Sequence, residues 1–466
     1  MIHAIRKRVP ISNAALLRLA ILTGVLIMLP VVGFLAPRVS PELVLIIVVA
    51  PPAALLVLSK FEYGVLVIVL TAAFVRFSLP TGTQSRIVAS LIVTVLFIAL
   101  WVIRMLVVEK RLYLKPSRIN VPLLAFMLVT IISYPWSNAF RDPLVVVWGS
   151  WPVVQLGGLG VMILLPGAFI FTANIISEIR WLKMLCGLMI LVGVLSLTAY
   201  LLQVNLSFLN TRGLFSLWFV SLVYAQALFN KQLPFWLRLG LLGLVGTWMY
   251  VYFIMNITWL SGWLPPFVAI ATISFMKSKR LLFVLLLLIA IYVGMNWDYY
   301  SGTVLAAETE ESGNSRLWAW EHNWRVTGKH FLFGTGPAGY AAYYMSYFPT
   351  EALATHNNYI DIISQTGIVG LFFCLWFFGT LGWTGYKLCM HLKTTHDFSA
   401  GFAAATLAGW AGCVVSMALG DWLFPFVYTQ TISGFDYAVY SWVLLGGMVA
   451  LSNIYPTGEV TEVNGD

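Results

Sequence analysis

The chain has 466 residues, of which 60% are hydrophobic and 15% aromatic while only 10% are charged. A soluble domain carries about 25% charged residues, so with a mean hydropathy of +0.88 the composition excludes an ordinary water-soluble enzyme and points to a membrane protein. The formal net charge of +9 would otherwise raise a nucleic-acid partner; in a chain of apolar runs it bears instead on which side of a membrane each charge lies, and no nucleic acid is expected.

In chain order, apolar runs of roughly 17–25 residues, each able to cross about 30 Å of hydrocarbon, are expected at 15–35, 43–59, 63–80, 87–108, 121–136, 155–175, 182–202, 213–230, 239–255, 262–276, 281–297, 359–385, 399–419 and 436–453. Helices satisfy their own backbone groups in lipid, and the runs are too continuous for alternating barrel strands. The expected fold class is therefore an all-α polytopic membrane protein, one integral membrane domain over 1–466 with about 14 (12–14) transmembrane helices. The first run lacks a small-residue cleavage site behind it and reads as a retained helix.

With the N-terminus inside, every expected cytoplasmic connector carries Lys or Arg, which places both termini in the cytoplasm. Of the 27 Lys and Arg, eight fall on the outer side: Arg38, Arg76, Arg86, Arg141, Arg212, Arg316, Arg325 and Lys329. Seven are arginine, whose planar fork pairs two ways with phosphate oxygens. Singly, each reads best as a solvated or headgroup-paired side chain; as a group they point to an anionic ligand. The four cysteines (Cys186, Cys374, Cys389 and Cys413) lie in spans or in a cytoplasmic connector, where packing is the expected role and neither disulfide nor metal spacing is seen.

One connector, within 298–358, is far longer than the rest, which makes it a functional loop rather than a link. Its aromatic content argues against disorder. Within it, NSRLWAWEHNWRVT (Asn314 to Thr327) reads as a helix with Leu317, Trp320 and Trp324 on one side and Arg316 and Asn323 on another. Such an aromatic face suits the membrane interface, with sugar stacking as the sharper alternative. FGTGPAGY (Phe333 to Tyr340) lacks a P-loop's Lys-Ser/Thr and preceding strand, so it reads as a tight turn between two loop helices. Of the six histidines, His322, His330 and His356 are outer, and only His356 immediately precedes a span. No pair has metal-ligand spacing, so no metal site is expected. A lone histidine is usually structural, yet an imidazole with an ordinary pKa of about 6.5 also suits proton abstraction. Asp421 and Asp436 flank the last outer loop and could orient substrate, although loop carboxylates are commonplace.

The ordered set NSRLWAW, HFLFGTGPAGY and THNNYIDIISQTGIVGLFF resembles the O-antigen ligase / O-antigen polymerase-like family of bacterial envelope enzymes, over about residues 200–385. The resemblance implies a metal-independent, inverting glycosyltransferase without a cofactor. Its donor would be a glycan on polyprenyl diphosphate, its acceptor a hydroxyl on a lipid core, a growing polysaccharide or a protein. It would work at the periplasmic face of the bacterial cytoplasmic membrane, among membrane lipids. Carried over, His356 would be the general base and Arg316 would bind the donor diphosphate. Arg212 matches the family's upstream arginine more loosely. Arg141, Arg86, Arg325, Lys329, Asn357, Asn358, Trp320 and Tyr359 are the expected substrate-binding residues. Where relatives often carry a Ser-Arg pair, this chain reads Leu260-Ser261-Gly262-Trp263; either Arg212, Arg141 or Arg86 supplies that charge, or the donor is held differently. The alternative is a transporter or flippase of lipid-linked glycans. Transporters tend to show repeated halves and ionisable groups at midplane, whereas here no repeat is found and ionisable residues cluster at span ends.

Overall fold

The computed structural model describes residues 60–81, 85–255, 260–305, 314–349, 354–426, 428 and 430–456. Two compact units divide the chain, Met1–Gly64 and Val65–Asp466; of the first, only residues 60–64 are described. The spans expected at 15–35 and 43–59, and Arg38, lie outside the described residues.

Helix α1, Glu62–Phe74, is shorter than the expected span 63–80. Pro80 cannot donate to a helical ladder, and the helix-breaking sequence Thr-Gly-Thr follows it. The chain instead forms a short antiparallel pair, β1 (Ser78–Pro80) with β2 (Arg86–Val88), in register Ser78↔Val88. The expectation of a purely helical chain is corrected to that extent. Then come α2 (Ala89–Val107), α3 (Asn120–Ala139), α4 (Trp151–Ile175), α5 (Ile179–Leu201) and α6 (Phe215–Phe229). Next are α7 (Phe235–Met249), running on as a π-helical turn to Met255, α8 (Leu260–Lys277) and α9 (Lys279–Met295). The long connector supplies α10 (Asn314–Thr327) and α11 (Gly339–Tyr347), and α12 (Asn358–His391), α13 (Phe398–Leu419) and α14 (Phe435–Ile454) follow. Among the described residues, eight helices are long and apolar enough to cross a membrane. The protein is thus a multi-pass helical membrane protein.

The centre of Val65–Asp466 is built by α4 against α14, α13 against α6 and α8, and α3 against α12. Trp218, Trp442, Phe169 and Phe377 are buried there. Close approach uses small residues, as expected where lipid offers no hydrophobic contrast. A Cβ on Gly409 would lie 2.2 Å from the Trp218 ring. The periphery is the reverse: no residue of α9 is buried, and its Phe283, Leu287 and Leu288 lie open, as lipid-facing carbon does.

The feature that positions the site is a break in α12. Gly367 has φ 69° and ψ −172°, outside helical space. A helix broken in mid-course leaves carbonyls and N–H groups without partners. The loop segment 331–336 supplies them. Thr335 and Gly336 N–H donate to the Ser364 and Gln365 carbonyls (2.9 Å each), while Ile368 and Val369 N–H donate to the Phe331 and Leu332 carbonyls (2.8 and 3.4 Å). Gln365 Oε1 also accepts from Ala338 N–H at 2.7 Å. The crossing requires glycine, because a Cβ on Gly367 would lie 2.1 Å from the Leu332 oxygen and one on Gly334 would lie 2.4 Å from the Gln365 carbonyl carbon. The glycine turn does link two loop helices, and it also plugs the break in α12.

Candidate active site

His356 ends the loop and stands one residue before the N-cap of α12. Its φ of 47° is a left-handed conformation that a non-glycine residue adopts only when its surroundings impose it. The surroundings are visible on both sides. Before it, Thr355 is buried; its carbonyl accepts from Trp320 Nε1 at 2.7 Å, and its hydroxyl donates to Asp361 Oδ1 in a short hydrogen bond. After it, Asn357 Oδ1 caps α12 by accepting from the Tyr359 and Ile360 N–H groups (2.9 and 3.2 Å), as an N-cap asparagine does. Asn358 is fully buried. It donates to the Phe424 carbonyl at 2.7 Å and accepts from the Leu423 and Phe424 N–H groups (3.2 and 3.1 Å).

Asn358 thereby ties the His356 turn to the connector after α13, which carries Asp421. His356 Nδ1 lies 3.7 Å from Asp421 Oδ1; the imidazole is half exposed while the carboxylate is 2% exposed. Asp421 Oδ2 is anchored by Phe426 N–H at 3.3 Å. A carboxylate on the Nδ1 side favours the tautomer with its proton there, which leaves Nε2 as a proton acceptor on the open side. His322 and His330, the other histidines expected on the outer side, are engaged elsewhere. His322 stacks on Trp318 at 3.8 Å and its Nδ1 lies 2.9 Å from the Trp318 carbonyl oxygen. His330 packs on Tyr343 at 5.0 Å, and its burial pushes the imidazole pKa below the ordinary value.

Helix α10 covers the expected span Asn314–Thr327, but its faces are sorted differently. Trp320 points at Thr355 and Asn323 is buried, with Asn323 Nδ2 donating to Ser364 Oγ at 2.6 Å. Leu317 and Trp324 lie exposed. Trp320 therefore belongs with Arg316 and Asn323, the i, i+4, i+7 row laid against the start of α12, rather than with Leu317 and Trp324. Arg316 is half-buried on that row, and its guanidinium makes no ion pair with any described residue.

Arg212 comes from the connector before α6. It is exposed, next to Gly213, whose φ of +62° lets the chain press against the Tyr437 ring. Both Arg212 and Asp421 lie within electrostatic reach of the Tyr437 hydroxyl, and that ring packs edge-on against Trp422 at 5.9 Å. Arg86 is exposed, and its carbonyl accepts from Ser433 Oγ at 3.3 Å, on the connector that also holds Asp421.

Three expected cations are placed otherwise. Arg325 pairs with Glu321, four residues earlier, at 2.5 Å. Arg141 and Lys329 gather around Tyr343 and Asp142. There the Tyr347 hydroxyl donates to Asp142 Oδ2 at 2.7 Å and, with the Leu144 N–H, holds that carboxyl below the usual carboxylate range. Tyr359, half-buried, donates its hydroxyl to the Val414 carbonyl at 2.9 Å.

Sequence reasoning gave no role to Asp361, Thr355 or Tyr340, which are buried behind the His356 turn. Tyr340 stacks on Phe426 at 4.4 Å, and its burial, with the nearby Asp361 carboxyl, pushes the phenol pKa well above its ordinary value. The polar run of THNNYIDIISQ inside an apolar chain was the available signal. Among the described residues, no group of three or more His, Cys, Asp or Glu is arranged to hold a metal ion. Residues 236–375 match the family described as O-antigen ligase; no curated protein matches the chain.

Proposed function

From the match of residues 236–375 to the O-antigen ligase family, we propose that the protein is a glycosyltransferase of the bacterial cytoplasmic membrane. It moves a glycan from a polyprenyl diphosphate to an acceptor hydroxyl at the outer face. The single observation that carries this reading is the His356–Asp421 pair: a half-exposed imidazole at the entrance to a span, with Nδ1 3.7 Å from a buried carboxylate.

In the reaction, His356 Nε2 takes the acceptor hydroxyl's proton as that oxygen attacks the anomeric carbon. The bond from that carbon to the diphosphate oxygen breaks, and the electron pair leaves on the diphosphate. Attack from the opposite face inverts the centre. A hydroxyl is a poor nucleophile until a base acts on it, which is a contribution of about 10²–10⁴-fold. Arg316 and Arg212 meet the negative charge that grows on the leaving group, with Arg86 as a further donor-side cation. Fixed charge of this kind is commonly the largest catalytic contribution, and in this proposal it replaces a metal. Asn357 and Asn358 position the base rather than touch the sugar, because the protein takes up their amide groups.

The test uses the purified full-length protein, polyprenyl-diphosphate glycan and candidate acceptors (lipid core, polysaccharide or peptide) in excess chelator. Transfer is expected, and His356→Ala is expected to lose about 10²–10⁴-fold in kcat. Full activity in that variant would remove His356 as the base. Activity restored only by added divalent cation would overturn the arginine-only treatment of the diphosphate. Movement of intact donor across a vesicle membrane without glycosidic transfer would support a flippase instead.

A further inference from the structure

Two carboxyl groups lie buried at the His356 turn, and the transfer chemistry uses only Asp421. The other is Asp361, in the first turn of α12. Each is 2% exposed, and Asp421 lies within electrostatic reach of Asp361.

Their oxygens are treated differently. Asp421 Oδ1 faces the imidazole, and its Oδ2 accepts from the Phe426 N–H at 3.3 Å. Asp361 Oδ1 accepts from the Thr355 hydroxyl, whereas its Oδ2 is buried with no hydrogen-bond partner among the described residues. The Tyr340 hydroxyl, on α11, is within interaction reach of the same carboxyl and is also buried without such a partner. No cation completes the group. Helices α10 and α3 are joined to this part of α12 through uncharged groups, Asn323 and Ser133, and Arg316 of α10 makes no ion pair there.

Two negative charges side by side in a buried site repel, and a buried carboxylate without a cation takes up a proton instead. A helix N-terminus favours an anion in its first turn, but by less than the burial of an unpaired carboxylate costs. The charge belongs on Asp421, which has an N–H donor and an imidazole beside it. The proton belongs on Asp361 Oδ2, the oxygen left without a donor, with the Tyr340 oxygen as its acceptor.

We propose that Asp361 is a neutral carboxylic acid that positions His356, holding the Thr355 hydroxyl on Oδ1 and leaving Asp421 as the single negative charge beside the imidazole. Thr355 precedes His356, whose φ of 47° its neighbours must impose, so the acid acts through Thr355 and touches no substrate. A second negative charge behind Asp421 would hold a proton on His356 and spoil it as a base. The role in transfer rests on the glycosyltransferase reading; the protonation does not.

Infrared difference spectra of the full-length protein in lipid vesicles, parent against Asp361→Asn, read the proton directly. At neutral pH the parent is expected to show the carbonyl band of a protonated carboxyl that the variant lacks. Its absence overturns the proposal whether or not transfer is detected. Asp361→Asn keeps the shape, one acceptor and one donor, and is expected to hold kcat within about threefold of the parent. Asp361→Ala is expected to lose about tenfold or more with KM little changed. Thr355→Val is expected to lose as much, and Asp361→Ala added to it little more, because both act through one contact. If Asp361→Asn falls as far as Asp361→Ala, a charge is required there and the proposal fails. If Asp361→Ala leaves kcat unchanged, Asp361 positions nothing and the proposal fails as well. Absence of transfer in the parent would end the glycosyltransferase reading and leave the infrared band to decide Asp361.

Discussion

Helix α9 and the first half of α12 both lie in the stretch 236–375 that matches the O-antigen ligase family, yet they meet opposite surroundings. No residue of α9 is buried. In α12, Asn358, Asp361, Ser364, Gln365 and Thr366 are all buried despite being polar. In α9 the side chains from Leu281 onward are almost all apolar and the backbone is satisfied within the helix, so lipid suffices as solvent. In α12 the helix is broken and carries buried polar groups, so other parts of the chain must complete it. Segment 331–336 supplies backbone partners, α10 supplies Asn323 for Ser364, and the connector after α13 receives Asn358. The contrast teaches that the polar, kinked element is where the loop is held, and that the loop is held so as to aim His356.

The comparison can be broken at several points. Besides the loss expected for His356→Ala, the largest effect is expected for Gly367→Ala. Its Cβ would meet the Leu332 oxygen at 2.1 Å and its φ is +69°. The loop must leave the break, so thermal or denaturant unfolding should show a loss of about 3 kcal/mol or more, with transfer lost as well. A variant of parental stability would mean that the crossing is not a constraint.

Asp421→Asn comes next. It keeps the shape and removes the charge 3.7 Å from His356 Nδ1, so kcat should fall about 10–100-fold with KM little changed, by analogy with other carboxylate-oriented imidazoles. A rise in KM at constant kcat would instead make Asp421 a substrate-binding residue. Trp320→Phe removes one donor to the Thr355 carbonyl and keeps the ring. About 1 kcal/mol is expected, read as a fall in kcat of about fivefold through a less fixed His356. The smallest effect belongs to α9. Leu287→Ala, on an exposed lipid-side position, should change stability by no more than about 0.5 kcal/mol. A large effect there would mean that α9 is covered by another chain.

Much of the helical framework was legible, because spans write themselves as apolar runs whatever their neighbours do. The expected runs at 87–108, 399–419 and 436–453 lie within two residues of α2, α13 and α14 at each end. The paired strands 78–80 and 86–88 were absorbed into the facing ends of two apolar runs, 63–80 and 87–108, and only Pro80 and the following Thr-Gly-Thr signalled them. Within the site, His356 could be singled out because a histidine before a span has few structural reasons to be there. Asp421 could not, since nothing local distinguishes it from any other loop carboxylate. Its place beside His356 is decided by Asn358 bonding to residues 423 and 424.

The arginines show the same division most plainly. Charge and position alone leave Arg316, Arg325 and Lys329 equivalent cations in one loop, and it was the resemblance that singled out Arg316. In the fold Arg325 pairs with Glu321, Lys329 turns toward Asp142, and Arg316 shares a helix row with Trp320 and Asn323. By itself the sequence determined the solvent of this protein, its helices and the residue types available for chemistry, because hydropathy and periodicity act over a single turn or span. Only the tertiary structure decided which cations are taken up by other partners and which carboxylate lies beside the histidine. Those choices depend on contacts between segments far apart in the chain, and no local pattern encodes them.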